Sequence, residues 1–305
     1  MKVGFIGTGR MGNPMAMHLL QAGFDVVVNE LLRPRSENLL AAGAAWAESA
    51  RELGEQCEVV FTSLPGPKQF EEVLTDTKTG LLAGLKPGGA IFDTTTNSPF
   101  LVRKIAEACQ QRGVHLLDAP VSGGSIGADA GTLTFMVGGD KTTFDKYQPL
   151  LEAMGTNLFH LGEVGQGCAA KLVTQYIGYT NFITAAEALL VARKAGLDLA
   201  TMYKVVPVTV AAFGYFELMF RSVLSRNLGE GTGSVNTITK DLMLANELAQ
   251  YVDSPHEMGL RAYGLLKATQ ERGMGDYGLT TVVQLLEEEA GVELKAELYP
   301  QGRAQ

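Results

Sequence analysis

Through the first half of the chain, short apolar runs alternate with longer stretches in which apolar residues recur at helical spacing. The strand-like runs are Lys2–Ile6, Asp25–Asn29, 59–63, Ala90–Asp93, His115–Asp118 and Leu133–Val137. Helices are predicted between them at 14–22, 35–42, 70–74 and 100–112, each ending near a glycine or a polar turn. Alternation of this kind predicts βαβ units and a largely parallel sheet, so the first half reads as a Rossmann-like, doubly wound α/β domain. After Gly162 the strand signals nearly vanish. Periodic helical stretches then run to about residue 290, interrupted by a glycine-rich loop at 228–233. The boundary falls at 162–165 and divides the chain into a domain over 1–163 and an all-α domain over 164–305.

Positions 164–192 carry two charged residues, Lys171 and Glu187, which predicts a helix buried on nearly all sides between domains or subunits. Its uncharged run, 172–186, is fifteen residues long and includes Thr174, Gln175, Thr180, Asn181 and Thr184, too short and too polar for a membrane span. The apolar surface of this segment exceeds what one small helical domain buries. A homodimer or homotetramer is therefore expected.

Composition narrows the class. A length of 305 residues fits two domains, and 46% apolar with 19% charged residues describes an ordinary globular chain. A net charge of -8 and a pI near 5.1, without clustered Lys or Arg, argue against a nucleic-acid or anionic-membrane partner. An anionic ligand must then be met by a local site. Cys57, Cys109 and Cys168 lack metal or redox spacing and read as small buried residues, and His18, His115, His160 and His256 are equally scattered, so no metal site is expected. Met1 leads directly into an apolar strand without a charged n-region or cleavage site, and the cytoplasm is the expected compartment.

The first strand runs into Gly7-Thr8-Gly9-Arg10-Met11-Gly12, a GxGxxG turn opening a helix. Alone this motif is weak; between a strand and a helix it predicts a dinucleotide site. Gly7 allows the sharp turn, Gly9 clears the approach of a pyrophosphate, and Gly12 lets the helix pack on the strand. Glu30, eighteen positions after Gly12 at the end of the second strand, suits the adenosine ribose hydroxyls and favours NAD. Arg33 and Arg35 lie just beyond, and either can reach a 2′-phosphate, which keeps NADP open. Ser122-Gly123-Gly124 offers a hydroxyl and exposed backbone N–H groups that suit a carboxylate, with a plain turn as the alternative. Lys171 is an ammonium in the least charged stretch of the chain, which calls for a functional partner or a position at the helix end.

Taken in order, Gly7 to Gly12, Asp118-Ala119-Pro120-Val121-Ser122-Gly123-Gly124, Gly131-Thr132-Leu133, Gly165-Gln166-Gly167 before Lys171, and Lys240-Asp241-Leu242 resemble the β-hydroxyacid dehydrogenase family over nearly the whole length. The resemblance implies an NAD(P)-dependent oxidoreductase that interconverts a small 3-hydroxy acid and its semialdehyde. It implies Lys171 as general acid/base, and Ser122, Gly123 and Gly124 as the carboxylate cradle. Thr174 and Gln175, three and four residues after Lys171, share its helix face and are implied to touch the substrate. Lys240 is implied to reach into the cofactor and substrate cleft, with a helix-surface ion pair to Asp241 as the alternative. Gly7, Gly9, Arg10, Met11, Gly12, Glu30, Leu64, Pro65 and Thr96 are the implied cofactor contacts.

The chain departs from its relatives at three places: Thr174 stands where most have asparagine, Gly233 where many have phenylalanine, and Thr94-Thr95-Thr96-Asn97 varies the usual Asp-x-Ser-Thr stretch. Substrate choice is expected to lie around 208–216 and 234–238. Tartronate semialdehyde and γ-hydroxybutyrate/succinic semialdehyde are alternative substrates. An imine reductase is a rival reading against which Lys171 counts, and a non-catalytic cofactor-binding module is a further one.

Overall fold

Residues on alternate sides of each apolar run pack into two separate layers, which is what a parallel strand covered on both faces requires. The computed structural model describes residues 1–214, 216–229 and 233–298. It contains two compact units, Met1–Lys171 and a second beginning at Leu172.

In the first unit β1 (Lys2–Ile6), β2 (Asp25–Asn29), β3 (Ala45–Trp46), β4 (Val59–Thr62), β5 (Ala90–Asp93) and β6 (His115–Asp118) form one parallel sheet, ordered β3-β2-β1-β4-β5-β6. Phe5, Phe61 and Phe92 stack across three strands, with ring centroids 6.0 and 5.3 Å apart, on the layer that holds Met15 and Leu19. Val60, Ile91 and Leu116 face the other way, towards Phe70, Val102 and Ile105. The order reverses between β1 and β4, and at such a switch point the loops after the strands part to leave a crevice. Register aligns Ile6 with Thr62, Thr62 with Asp93, and Asp93 with Asp118, so the carboxyl edge of the sheet carries a polar row.

Leu133–Val137 does not join this sheet, contrary to the expectation of one largely parallel sheet. It is β8 of a three-stranded sheet, antiparallel to β7 (Val121–Ser122) and parallel to β9 (Gly155–His160). Pro120 follows β6 without an N–H to continue a ladder, and the chain turns away there. β9 escapes sequence reading because its side chains are mostly exposed or half-buried and polar. The helix expected at 35–42 is a 3₁₀ turn, Arg33–Ser36, followed by the helix Glu37–Ala41. Helices at Ala50–Gln56 and Lys141–Glu152 were not expected. Ser49 and Asp140 cap them by accepting from Glu52 N–H and Thr143 N–H at 3.1 and 2.7 Å.

The described part of the second unit is helical. It takes most of Gln166–Lys194 and adds Leu199–Val205, Phe216–Leu224, Val235–Tyr251, Glu257–Thr269 and Val283–Ala290 around a core that includes Phe182, Phe216, Phe220, Leu242 and Leu266. The glycine-rich loop expected at 228–233 lies partly outside the described residues, as does Tyr215 within 208–216. The long helix is not buried on all sides within one chain: Val173, Ile177 and Val191 are 55%, 53% and 68% exposed. Among the described residues no helix is long and apolar enough to cross a membrane.

Candidate functional site

The first unit shapes its candidate dinucleotide turn from backbone. At Gly7, φ is +88°, and a Cβ would stand 2.3 Å from the Ser63 carbonyl oxygen. One at Gly12 would stand 1.9 Å from the Gly7 carbonyl oxygen. Both positions are closed by the protein itself. A Cβ at Gly9 would meet nothing within 4 Å, so that side of the turn is open. Arg10 and Met11 complete the turn, Asn13 N–H donates to Gly9 O at 2.9 Å, and the helix Gly12–Gln21 starts there with its positive dipole end towards the open side. Residues and space together fit a dinucleotide pyrophosphate.

Glu30 follows β2 and is tied to the same turn. Its Oε2 accepts from Thr8 N–H at 2.9 Å and its Oε1 from Leu32 N–H at 3.2 Å, while Arg35 Nη1 lies 3.6 Å from Oε1 and the side chain is 7% exposed. Arg33 lies 4.7 Å above the Trp46 ring and 3.6 Å from Glu48. Each arginine of this loop therefore has an acidic partner within the chain.

The loops after β4 and β5 are joined by Leu64 N–H, which donates to Thr95 Oγ1 at 3.0 Å. Leu64 and Thr96 are half-buried, Pro65 is exposed, and Leu64 also lines the wall behind Gly7. Beneath them Asp93 is fully buried and accepts from Thr62 Oγ1 at 2.8 Å, Thr95 N–H at 3.2 Å and Asn97 Nδ2 at 3.0 Å. Burial outweighs the pull of these donors and leaves its carboxyl raised to about 6.

Asp118, one strand over, is equally buried. Its Oδ1 accepts from Gly165 N–H at 2.7 Å and its Oδ2 from Cys168 N–H at 2.6 Å, at the start of Gln166–Lys194. Burial raises this carboxyl too, against the two N–H donors. Lys171 follows three residues after Cys168 and is 6% exposed. Four residues beyond Asp118, Ser122 is half-buried on β7, and Gly123 and Gly124 are exposed, with φ of +128° and +61°, at the start of Gly124–Ala130. His18 Nε2, from the dinucleotide helix, reaches the carbonyls of Ala128 and Asp129 at 3.0 Å each and ties that short helix to the first.

In the second unit the candidate residues meet through side chains. Gln175 Nε2 donates to Asp241 Oδ2 at 2.8 Å and to the Tyr179 hydroxyl, whose own O–H reaches Asp241 Oδ2 at 3.4 Å. Asp241 Oδ1 takes no aligned hydrogen bond among the described residues and faces the Lys240 ammonium at 3.0 Å. Asp241 is 2% exposed, which removes the surface ion pair as a description of Lys240-Asp241. Both amide hydrogens of Gln175 are committed, so its carbonyl oxygen is the group left to present. Thr174 is exposed on the same helix.

Thus Gly7 to Gly12, Glu30 and Leu64 surround one crevice edge, Gln175 and Lys240 meet on Asp241, and Ser122 to Gly124 lie on the separate small sheet. Sequence reading gave no role to Asp93, Asp118 or Tyr179, and gave Asp241 only that of a surface ion-pair partner for Lys240. A signal was present: Ala90–Asp93 and His115–Asp118 are apolar strands that each end in a carboxylate, a costly group to bury without a task.

Residues 2–162 match the family model described as the NAD binding domain of 6-phosphogluconate dehydrogenase, and 165–286 that described as the NAD-binding of NADP-dependent 3-hydroxyisobutyrate dehydrogenase. The chain is 36% identical to an NAD-dependent L-serine dehydrogenase of Pseudomonas aeruginosa, over 95% of this chain and 99% of that one. It is 32% identical to a 2-(hydroxymethyl)glutarate dehydrogenase of Eubacterium barkeri, over 96% and 97%. Its fold is similar to the crystal structure of 3-hydroxyisobutyrate dehydrogenase from Salmonella typhimurium, with a TM-score of 0.84, 29% identity and coverage of 93% and 99%.

Proposed function

This chain belongs to the β-hydroxyacid dehydrogenase family of NAD(P)-dependent oxidoreductases, and from that premise we propose that it interconverts a 3-hydroxypropanoate bearing a small substituent at C2 and the corresponding semialdehyde. Serine, 2-(hydroxymethyl)glutarate and 3-hydroxyisobutyrate, named for its relatives, all carry a hydroxymethyl group on the carbon that bears a carboxylate. They differ at the remaining substituent. In this reading residues 1–163 hold the dinucleotide and 164–305 supply substrate contacts.

The observation that carries the proposal is Lys171, a lysine 6% exposed on a helix almost without other charges. In oxidation it takes the hydroxyl proton, and in reduction it returns that proton to the carbonyl oxygen. The hydride would go to or come from a nicotinamide dinucleotide when one is bound. Gly7, Gly9, Arg10, Met11 and Gly12 would cradle the pyrophosphate, Glu30 the adenosine ribose, and Leu64, Pro65 and Thr96 the nicotinamide side. NAD is the preferred form in this reading, because Glu30 stands at the end of β2, tied to the glycine turn through Thr8 N–H, and both nearby arginines have acidic partners. Ser122 Oγ and the N–H groups of Gly123 and Gly124 would hold the carboxylate, Gln175 would accept from the substrate hydroxyl through its carbonyl oxygen, and Lys240 would add positive charge.

The test is a dehydrogenase assay over 3-hydroxypropanoates carrying methyl, amino, hydroxyl or carboxyethyl at C2, with γ-hydroxybutyrate and a cyclic imine as outliers, using both cofactors. At least one C2-substituted acid should turn over faster than either outlier. Lys171→Ala should lower kcat by about 10²–10⁴-fold with little change in NADH affinity. A folded Lys171→Ala enzyme within about tenfold of wild type, or turnover of the imine alone, overturns the proposal.

We propose further that the chain works as a homodimer or homotetramer in the cytoplasm. The exposed Val173, Ile177 and Val191 support an association through the long helix, and three buried cysteines without disulfides suit a reducing compartment. Light scattering that reports a 32.6 kDa monomer at micromolar concentration overturns the assembly.

A further inference from the structure

We infer that Asp118 is a positioning residue for Lys171, its buried carboxylate clamping the first turn of the Lys171 helix to the strand end that leads into Ser122. The first N–H groups of a helix have no intrahelical acceptor. Here two of them converge on one carboxylate: Gly165 N–H on Oδ1 at 2.7 Å and Cys168 N–H on Oδ2 at 2.6 Å. Bonds from N–H groups to an ionised acceptor are short and about twice as strong as neutral ones. Using both oxygens fixes the helix in rotation as well as along its axis. One residue of slippage turns a helix by about 100° and moves it about 1.5 Å, enough to carry Lys171 off its target.

The packing around Asp118 allows no such slippage. A Cβ at Gly138 would stand 2.7 Å from Asp118 Oδ1 and 2.9 Å from Gly167 N, and one at Gly167 would stand 2.2 Å from the Met136 carbonyl oxygen. Arg103 Nε donates to Val164 O at 3.2 Å and holds the incoming loop from its other side. The same residue is fixed along its own chain. Asp118 pairs with Gly138 through both backbone groups, N–H to O at 3.1 Å and O to N–H at 2.8 Å, and Ala119-Pro120-Val121 then carry the chain to Ser122. One residue thus sets where the proton carrier and the proposed carboxylate cradle stand relative to each other. An ordinary buried cap stabilises its helix; this one also fixes the spacing between the proton carrier and the proposed carboxylate cradle.

The inference rests on Lys171 being the acid/base, and a double-mutant cycle separates the two claims. Asp118→Asn keeps the shape but offers one acceptor where two donors point. It should lower kcat with the best hydroxyacid by about 10- to 100-fold, the cost of a misplaced catalytic group, and leave the NADH dissociation constant unchanged. In the Lys171→Ala background the same substitution should cost less than about threefold, because residues that act as a unit are not additive. An equal loss in both backgrounds assigns Asp118 to the fold and overturns the inference. Loss in neither background overturns it as well. If Lys171→Ala alone retains activity, the acid/base reading fails instead, whatever Asp118→Asn does. Should Asp118→Asn not fold, Asp118→Ser, which keeps one acceptor and brings no opposing amide, takes its place in the cycle. Failure of both to fold gives Asp118 a structural role and overturns the inference.

Discussion

The two units hold their site residues by different means. In the first, the dinucleotide turn is shaped by backbone that has no room for side chains at Gly7 and Gly12, and the loops above the sheet hang on buried Asp93 and Asp118 through N–H and hydroxyl donors. In the second, Gln175, Tyr179 and Lys240 converge from two helices on the single carboxylate of Asp241. Backbone geometry tolerates little variation and serves a ligand shared by many enzymes. A side-chain cluster can be exchanged residue by residue, which suits the part of a site that discriminates between substrates.

That contrast breaks first at Gly12. Gly12→Val places carbon 1.9 Å from the Gly7 carbonyl oxygen, so the turn must move. NADH affinity should fall more than about 100-fold, with a drop in Tm of the kind that forcing a side chain into closed space produces. Gly9→Ala, with nothing within 4 Å of its Cβ, should leave Tm unchanged and weaken NADH alone. Fluorescence titration and calorimetry on both proteins decide it; equal Tm losses at the two glycines would remove the distinction between space closed by protein and space kept for a ligand.

Next in size is the pH response of Asp93. Its folded value, about 6, lies above the ordinary 3.8, so its contribution to stability is full below about pH 4 and is lost as pH rises through 6. The stability of wild type relative to Asp93→Asn, which cannot titrate, should therefore fall by about 2 kcal/mol between pH 4 and pH 7. Urea melts across that range measure it. A difference that grows with pH would mean that the hydrogen bonds from Thr62, Thr95 and Asn97 outweigh burial.

Asp241→Asn probes the second unit. The amide turns a donor towards either Gln175 or Lys240, and a donor left unsatisfied in a buried place costs about 1–3 kcal/mol. We expect kcat/KM for the acid to fall about tenfold while KM for the dinucleotide holds. If the dinucleotide KM moves as much as that of the acid, the cluster is not reserved for the substrate.

The same contrast explains what sequence reading reached. Strands ending in glycines or followed by helices announce themselves by spacing, so β1, β2, β4, β5 and β6 and the turn at Gly7 to Gly12 were legible. The small sheet was not, because β9 carries mostly exposed and half-buried side chains and, after the turn at Pro120, β8 pairs with β7 and β9 and not within the parallel sheet. Lys171 stood out against an uncharged background. The carboxylates that hold its helix and gather Gln175 did not, since an aspartate's partners lie 47 to 66 residues away along the chain. Periodicity reports which face is buried, whereas hydrogen-bond partners far apart in sequence leave no local trace.

The smallest expected effect lies at the edge of the first unit, where side chains again take part. Glu30 is 7% exposed and bonded to Thr8 and Leu32 N–H, while Arg35, 56% exposed, stands 3.6 Å from it. With Glu30 present, a 2′-phosphate meets a fixed negative charge, and Arg35 spends its own charge on that carboxylate. Glu30→Ala removes the repulsion and releases Arg35 where it already stands. Arg33 remains against Trp46 and Glu48 in either case. The ratio of kcat/KM for NAD to that for NADP should fall about fivefold, a modest change because pairs this exposed are worth at most about 1 kcal/mol. Adding Arg35→Ala should cancel the gain with NADP, and adding Arg33→Ala should not. Should Arg33→Ala cancel it instead, the arginine held over Trp46 is the one that turns to the phosphate, and the ion pairs of this loop do not foretell cofactor choice.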